Sequence, residues 1–174
     1  SLLPPLLPYK KGLPVPPGFC VSTDAYREAT CDVTGLLTAD AARGNAAAAR
    51  ERVLGLPLPE SVRSAVSEAY TRLGEPPVAV RSSATAEDLA EASFAGQQDT
   101  CLGVVGIEAV LDAVRRCWSS LWTDRAVDYR RRHGVPDDGL ALAVVVQQKV
   151  DADAAGVLFT RDPVTGDDTT MLAS

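Results

Sequence analysis

Three short segments hold the residue types that bind or transfer charged groups. Val80–Thr100, VRSSATAEDLAEASFAGQQDT, places Arg81 at the end of an apolar run and follows it with small hydroxyl residues, two acids and a Phe-Ala-Gly turn. Small residues let backbone N–H groups come close to an anion, and hydroxyls add donors. An arginine at a strand end can grip a phosphate through two parallel hydrogen bonds. The segment reads either as a phosphate cradle or as a surface loop with a solvated arginine, and on spacing alone the surface loop is the weightier reading. Walker-type GxxxxGK[ST] spacing does not occur. VVVQQKV at 144–150 is an apolar run ending in polar side chains, either a ligand-facing strand mouth or a strand that simply reaches the surface. GVLFTRDPVTGDD at 156–168 runs into an Asp-Pro turn whose acids either bind magnesium or only face water, and the second reading is favoured.

These segments need elements to position them. Six of the 12 prolines fall in the first 17 residues, so Ser1–Gly18 cannot form one regular helix and reads as extended or irregular. A short strand at Phe19–Val21 follows, then Ser22 or Thr23 as N-cap of a short helix. Thr38–Leu54, rich in Ala, Arg and Glu, reads as one helix ended by Pro57 and Pro59. Val62, Ala65, Val66, Ala69, Tyr70 and Leu73 form one face of the next helix, with Gly74 as its C-terminal cap. Pro77–Ser83 and Thr100–Val105 read as strands. Ile107, Val110, Leu111, Val114, Cys117, Trp118 and Leu121 mark a helical stripe, and Thr123 caps a second helix ending at Gly134. Leu140–Val146 and Ala155–Thr160 read as buried strands. The pattern is mixed α/β (α+β).

Composition narrows the classes of partner. Seventeen Lys and Arg against 23 Asp and Glu give a net charge of −6, against non-specific nucleic-acid binding. No apolar run approaches the roughly 18–20 residues of a membrane span. Cys20, Cys31, Cys101 and Cys117 form no CxxC pair, and His133 has no ligand set beside it. The cysteines read as reduced, buried small apolar groups of a cytoplasmic protein. Arg130–Arg132 read as a solvated helix end facing the negative end of the dipole. Trp118 and Trp122, at i and i+4, suit core packing.

Taken in order, GLPVPPGF, VRSSATAEDLAEASFAGQQDT, CWSSLWTDRAVDYR, VVVQQKV and GVLFTRDPVTGD resemble the N-terminal ATP-binding domain of the phosphoenolpyruvate synthase, pyruvate phosphate dikinase and rifampin phosphotransferase family. The resemblance runs from Gly12 to Ser174. It implies an ATP-grasp-like fold, here incomplete at both ends, with residues 1–18 a proline-rich lead and 19–174 a partial ATP-binding domain. It also implies ATP-driven phosphorylation of a histidine on a separate carrier domain, with AMP and inorganic phosphate released. The phosphohistidine then phosphorylates pyruvate or a drug hydroxyl held by an acceptor-substrate domain. Arg81 matches the family arginine on the nucleotide phosphates, Gly96 and Thr100 match the loop over the phosphates, and Gln147 lies in the strand that meets adenine. No catalytic residue or metal ligand is assigned within this chain, the magnesium ligands being expected outside it.

The chain also departs from the family pattern. A GGKGxNL segment, whose lysine touches ATP, usually precedes GLPVPPGF, and SLLPPLLPYKK stands there instead. Lys149 replaces the methionine usual after the adenine-contacting glutamine. The chain is therefore expected to be a fragment of a phosphotransferase that binds nucleotide without turning over. The alternative is a non-catalytic binding or interaction module that keeps the fold and has lost the catalytic ends.

Overall fold

The computed structural model describes residues 15–84, 100–156, 158–159 and 172–173 of the chain. Four strands form one sheet: β1 (Gly18–Val21), β2 (Val78–Ala84), β3 (Thr100–Val104) and β4 (Leu142–Gln148). Their order is β1-β4-β2-β3 and every neighbouring pair is antiparallel. Antiparallel sheets commonly bury one face and leave the other without a covering layer, and among the described residues this one does. Leu142, Val144 and Val146 of β4, Val78 and Val80 of β2, and Phe19 and Val21 of β1 are all buried. The intervening residues Cys20, Arg81, Ala143, Val145 and Gln147 are half-buried or exposed.

Six helices accompany the sheet among the described residues: α1 (Thr23–Thr30), α2 (Thr34–Ala42), α3 (Ala46–Gly55), α4 (Glu60–Arg72), α5 (Ile107–Ser119) and α6 (Asp124–His133). α5 covers the buried side of the sheet, touching β2, β3 and β4, and α1 packs on β4. α3 and α4 pack against α5, and α2 lies on α3. The apolar stripe of α5 buries Val110, Leu111, Val114, Cys117 and Trp118. Tyr70 ties the layers together. Its hydroxyl lies 3.2 and 3.1 Å from the carbonyls of Glu75 and Pro76 and accepts from the Gly106 N–H at 3.1 Å, just before α5.

The expected capping holds at α6. The Thr123 hydroxyl accepts from the Ala126 N–H at 3.3 Å, and Gly134 closes the helix at φ 66°. At α1 the Ser22 hydroxyl makes no cap bond.

Four expectations need correction. Thr38–Leu54 is not one helix: the chain breaks at Arg43–Asn45, where Gly44 takes φ +74° and Asn45 accepts from the Ala48 N–H to start α3. Ala155–Thr160 is not a buried strand of the main sheet. Among the described residues of that segment only Leu158–Phe159 (β5) are extended, pairing with Leu172–Ala173 (β6) in a separate two-stranded sheet, and Phe159 is 38% exposed. None of the four cysteines is in a disulfide, but Cys117 alone is buried, Cys20 and Cys101 are half-buried, and Cys31 is exposed.

Arg130 is the fourth correction. Arg131 and Arg132 are solvated as expected and His133 beside them is exposed too, but Arg130 is only 5% exposed. Its Nε donates to Asp137 Oδ1 at 2.6 Å, its Nη1 to the Leu121 carbonyl at 2.7 Å, and its guanidinium lies 5.4 Å from the Trp122 ring centre. The residue one turn ahead of the helix end faces inward, where a carboxylate, a carbonyl and an indole replace its water. Trp122 in turn donates its indole N–H to the Tyr26 hydroxyl at 3.0 Å, and Tyr26 meets Trp118 edge-on at 5.7 Å.

Candidate nucleotide-facing site

β2 and β4 lie side by side with Arg81 opposite Val145 and Ala79 opposite Gln147. Residues directly opposite in an antiparallel pair share a face, as do residues two apart on one strand. Arg81 and Gln147 therefore rise from the same face, on the diagonal between neighbouring strands. Thr100 is the partner of Arg81 across β2 and β3, and Cys20 is the partner of Val145 across β1 and β4. One row across the sheet thus reads Cys20, Val145, Arg81, Thr100, on the face that α5 does not cover.

The two side chains meet. Arg81 Nη2 donates to Gln147 Oε1 at 2.5 Å, and Gln147 Nε2 donates to the Pro16 carbonyl at 3.0 Å. The backbone around Gln147 is pinned as well: the Gln148 N–H goes to Pro17 O at 2.9 Å and the Lys149 N–H to Pro77 O at 2.8 Å. Prolines donate no N–H, but their carbonyls are free acceptors, and three of them hold the end of β4. Gly18 lies opposite Gln147, and a Cβ there would sit 2.4 Å from the Val146 carbonyl oxygen and 2.9 Å from Gln147 Cα. Only glycine lets β1 approach β4 this closely.

The structure thus brings together Arg81, Thr100 and Gln147 on one sheet face. Gly96 lies outside the described residues, as does the acidic turn at 161–168. The sequence reading named Gln147 and Arg81 but missed Pro16 and Gly18, which hold the glutamine. The available signal was the Pro-Pro-Gly run at a strand start, where a carbonyl-rich extended segment meets a residue without a side chain. A cavity of about 130 Å³ lined by Tyr26, Thr30, Leu37, Trp122 and Asp137, among others, shares no lining residue with this face. Among the described residues no group of three or more His, Cys, Asp or Glu could hold a metal ion. Among them, too, no helix is long and apolar enough to cross a membrane.

Residues 6–174 match the family model described as pyruvate phosphate dikinase, AMP/ATP-binding domain. A rifampicin phosphotransferase of Streptomyces sviceus is 48% identical over 172 residues, covering 91% of this chain and 20% of that protein. A phosphoenolpyruvate synthase of Aeropyrum pernix is 42% identical over 178 residues, covering 91% and 22%. A prodigiosin synthesizing transferase, PigC, of Serratia marcescens is 46% identical over 158 residues, covering 90% and 17%. The chain spans about a fifth of the length of these relatives. With its mixed helix and antiparallel-sheet architecture and a match to the family model over nearly its whole length, this chain belongs to the AMP/ATP-binding domain family of pyruvate phosphate dikinase.

Proposed function

We propose that the sheet face bearing Arg81, Thr100 and Gln147 binds ATP, as one lobe of an ATP-grasp-like clasp. Arg81 meets the phosphates, Gly96 belongs to the loop over them with Thr100 at the start of β3 beside it, and Gln147 marks the strand beside which adenine lies. The N–H groups of Gln148 and Lys149 are already given to prolyl carbonyls, so an N–H donor for the base edge comes from beyond Lys149. The observation that carries the reading is the Arg81–Gln147 contact: an exposed guanidinium, held by a neutral amide that leaves its charge intact, stands on the sheet face that α5 does not cover. Phosphoryl transfer asks a protein mainly for positioning and for positive charge near the phosphates, and this arrangement offers both.

In the protein as a whole, ATP would phosphorylate a histidine on a separate carrier domain, and the phosphohistidine would pass its phosphoryl group to pyruvate or to a drug hydroxyl. Magnesium would be held by acids outside this chain, and the chain alone would bind nucleotide without turnover. Support comes from the family match and from relatives named as a rifampicin phosphotransferase and a phosphoenolpyruvate synthase. Calorimetry with ATP and magnesium on the parent chain and on Arg81→Ala tests the reading. Loss of one charge-assisted contact is expected to weaken binding by about tenfold or more. Equal affinities for the two would reject the phosphate role of Arg81.

A further inference from the structure

Gln147 stands in the strand that the ATP reading places beside adenine, yet its side chain is committed elsewhere. A guanidinium carries only donors, so the amide oxygen of Gln147 has to face Arg81 and its nitrogen has to face the Pro16 carbonyl. Chemistry alone therefore fixes which way the amide points. Both ends meet protein: one end the cation, the other a carbonyl delivered by β1. That carbonyl is in reach because Gly18, opposite Gln147, lets the strands close to a distance no other residue permits. The backbone bonds of Gln148 and Lys149 to Pro17 and Pro77 stop the strand end from shifting.

We propose that Gln147 is a positioning residue, which aims the Arg81 guanidinium through an amide anchored to Pro16 and does not itself read the base. This rests on the ATP reading above and deepens it. A neutral amide suits the task. It fixes the direction of the guanidinium while leaving a full positive charge for the phosphates, whereas a carboxylate at the same place would cancel that charge. An arginine side chain left to itself samples many rotamers and loses that freedom when it binds. The Pro16–Gln147–Arg81 chain removes that loss before the ligand arrives.

The experiment is calorimetry with ATP, inorganic triphosphate and adenosine on the parent chain, Gln147→Met, Arg81→Ala and the double variant. Methionine keeps the volume of glutamine and removes both hydrogen bonds. Gln147→Met is expected to weaken ATP and triphosphate about tenfold. It is expected to leave adenosine within about twofold, and to add less than about twofold in the Arg81→Ala background, because coupled residues are not additive. Should the methionine variant fail to fold, Gln147→Glu replaces it, with the same expectation of lost triphosphate and retained adenosine affinity. A parallel loss for adenosine, or a full penalty persisting without Arg81, would overturn the proposal and make Gln147 a base reader. An Arg81→Ala variant that binds ATP as the parent does, or a parent chain that gives no heat with ATP, fails the ATP reading itself, a separate result.

Discussion

Gly18→Ala is the smallest change that should disturb both the sheet and the proposed site. The added methyl would stand 2.4 Å from the Val146 oxygen and 2.9 Å from Gln147 Cα, both backbone atoms of a strand hydrogen-bonded on each side. Ordinary contact begins near 3.4 Å, so β1 must retreat from β4 by about 1 Å. The bond from the Gln148 N–H to Pro17 O, now 2.9 Å, and that from Gln147 Nε2 to Pro16 O, now 3.0 Å, would each stretch past hydrogen-bonding range. Two lost bonds at about 0.5–1.5 kcal/mol each, with the overpacking that local peeling of an edge strand does not relieve, give about 2–4 kcal/mol. Urea unfolding followed by circular dichroism reads this as a midpoint lowered by about 1–2 M at unchanged slope. ATP affinity should fall in step, because Pro16 no longer holds the glutamine. A stability within about 0.5 kcal/mol of the parent would refute the steric argument, since that is the range of a bland surface change.

Arg130→Met should destabilise the fold by about 3–5 kcal/mol in the same assay, because it leaves Asp137 half-enclosed without its cation, and Arg130→Met with Asp137→Leu should recover much of that loss; a single variant as stable as the parent would show the pair to be idle. Tyr26→Phe should cost about 1–3 kcal/mol at neutral pH by leaving the buried Trp122 N–H without its acceptor. Burial pushes the Tyr26 hydroxyl above its ordinary value of 10.0, against smaller opposing effects of Trp122 and Arg130. The folded state therefore keeps a proton that the unfolded chain releases, so this share of stability is intact below pH 10.0 and drains away as pH rises from there through the folded value. Burial moves the Cys20 thiol upward from 9.0 in the same sense, so the readout is the difference in alkaline slope between Tyr26→Phe and the parent. Parallel slopes would remove Tyr26 from the account.

Local chemistry alone was enough for the elements whose burial follows from their own period. The stripes of α4 and α5, the Thr123 cap and Gly134 stop of α6, and the strands around Val80 and Val144 were legible because amphipathic spacing and capping act over a few residues. The break between α2 and α3 was overlooked because the helix-forming alanines outweighed a Gly-Asn pair, although Gly44 supplies the left-handed turn and Asn45 the cap. The ordered motifs also carried the family. Contacts between distant parts of the chain decided the rest. Nothing local to Arg130 tells it from Arg131, and it is buried only because Asp137, Leu121 and Trp122 converge on it. Likewise a glutamine followed by another glutamine does not reveal which one is anchored. Gln147 is, because Pro16 lies 131 residues away in sequence and arrives just ahead of a strand that a glycine brings close. Period and propensity are properties of neighbours along the chain, whereas the aim of a charged side chain depends on which strands the sheet places side by side.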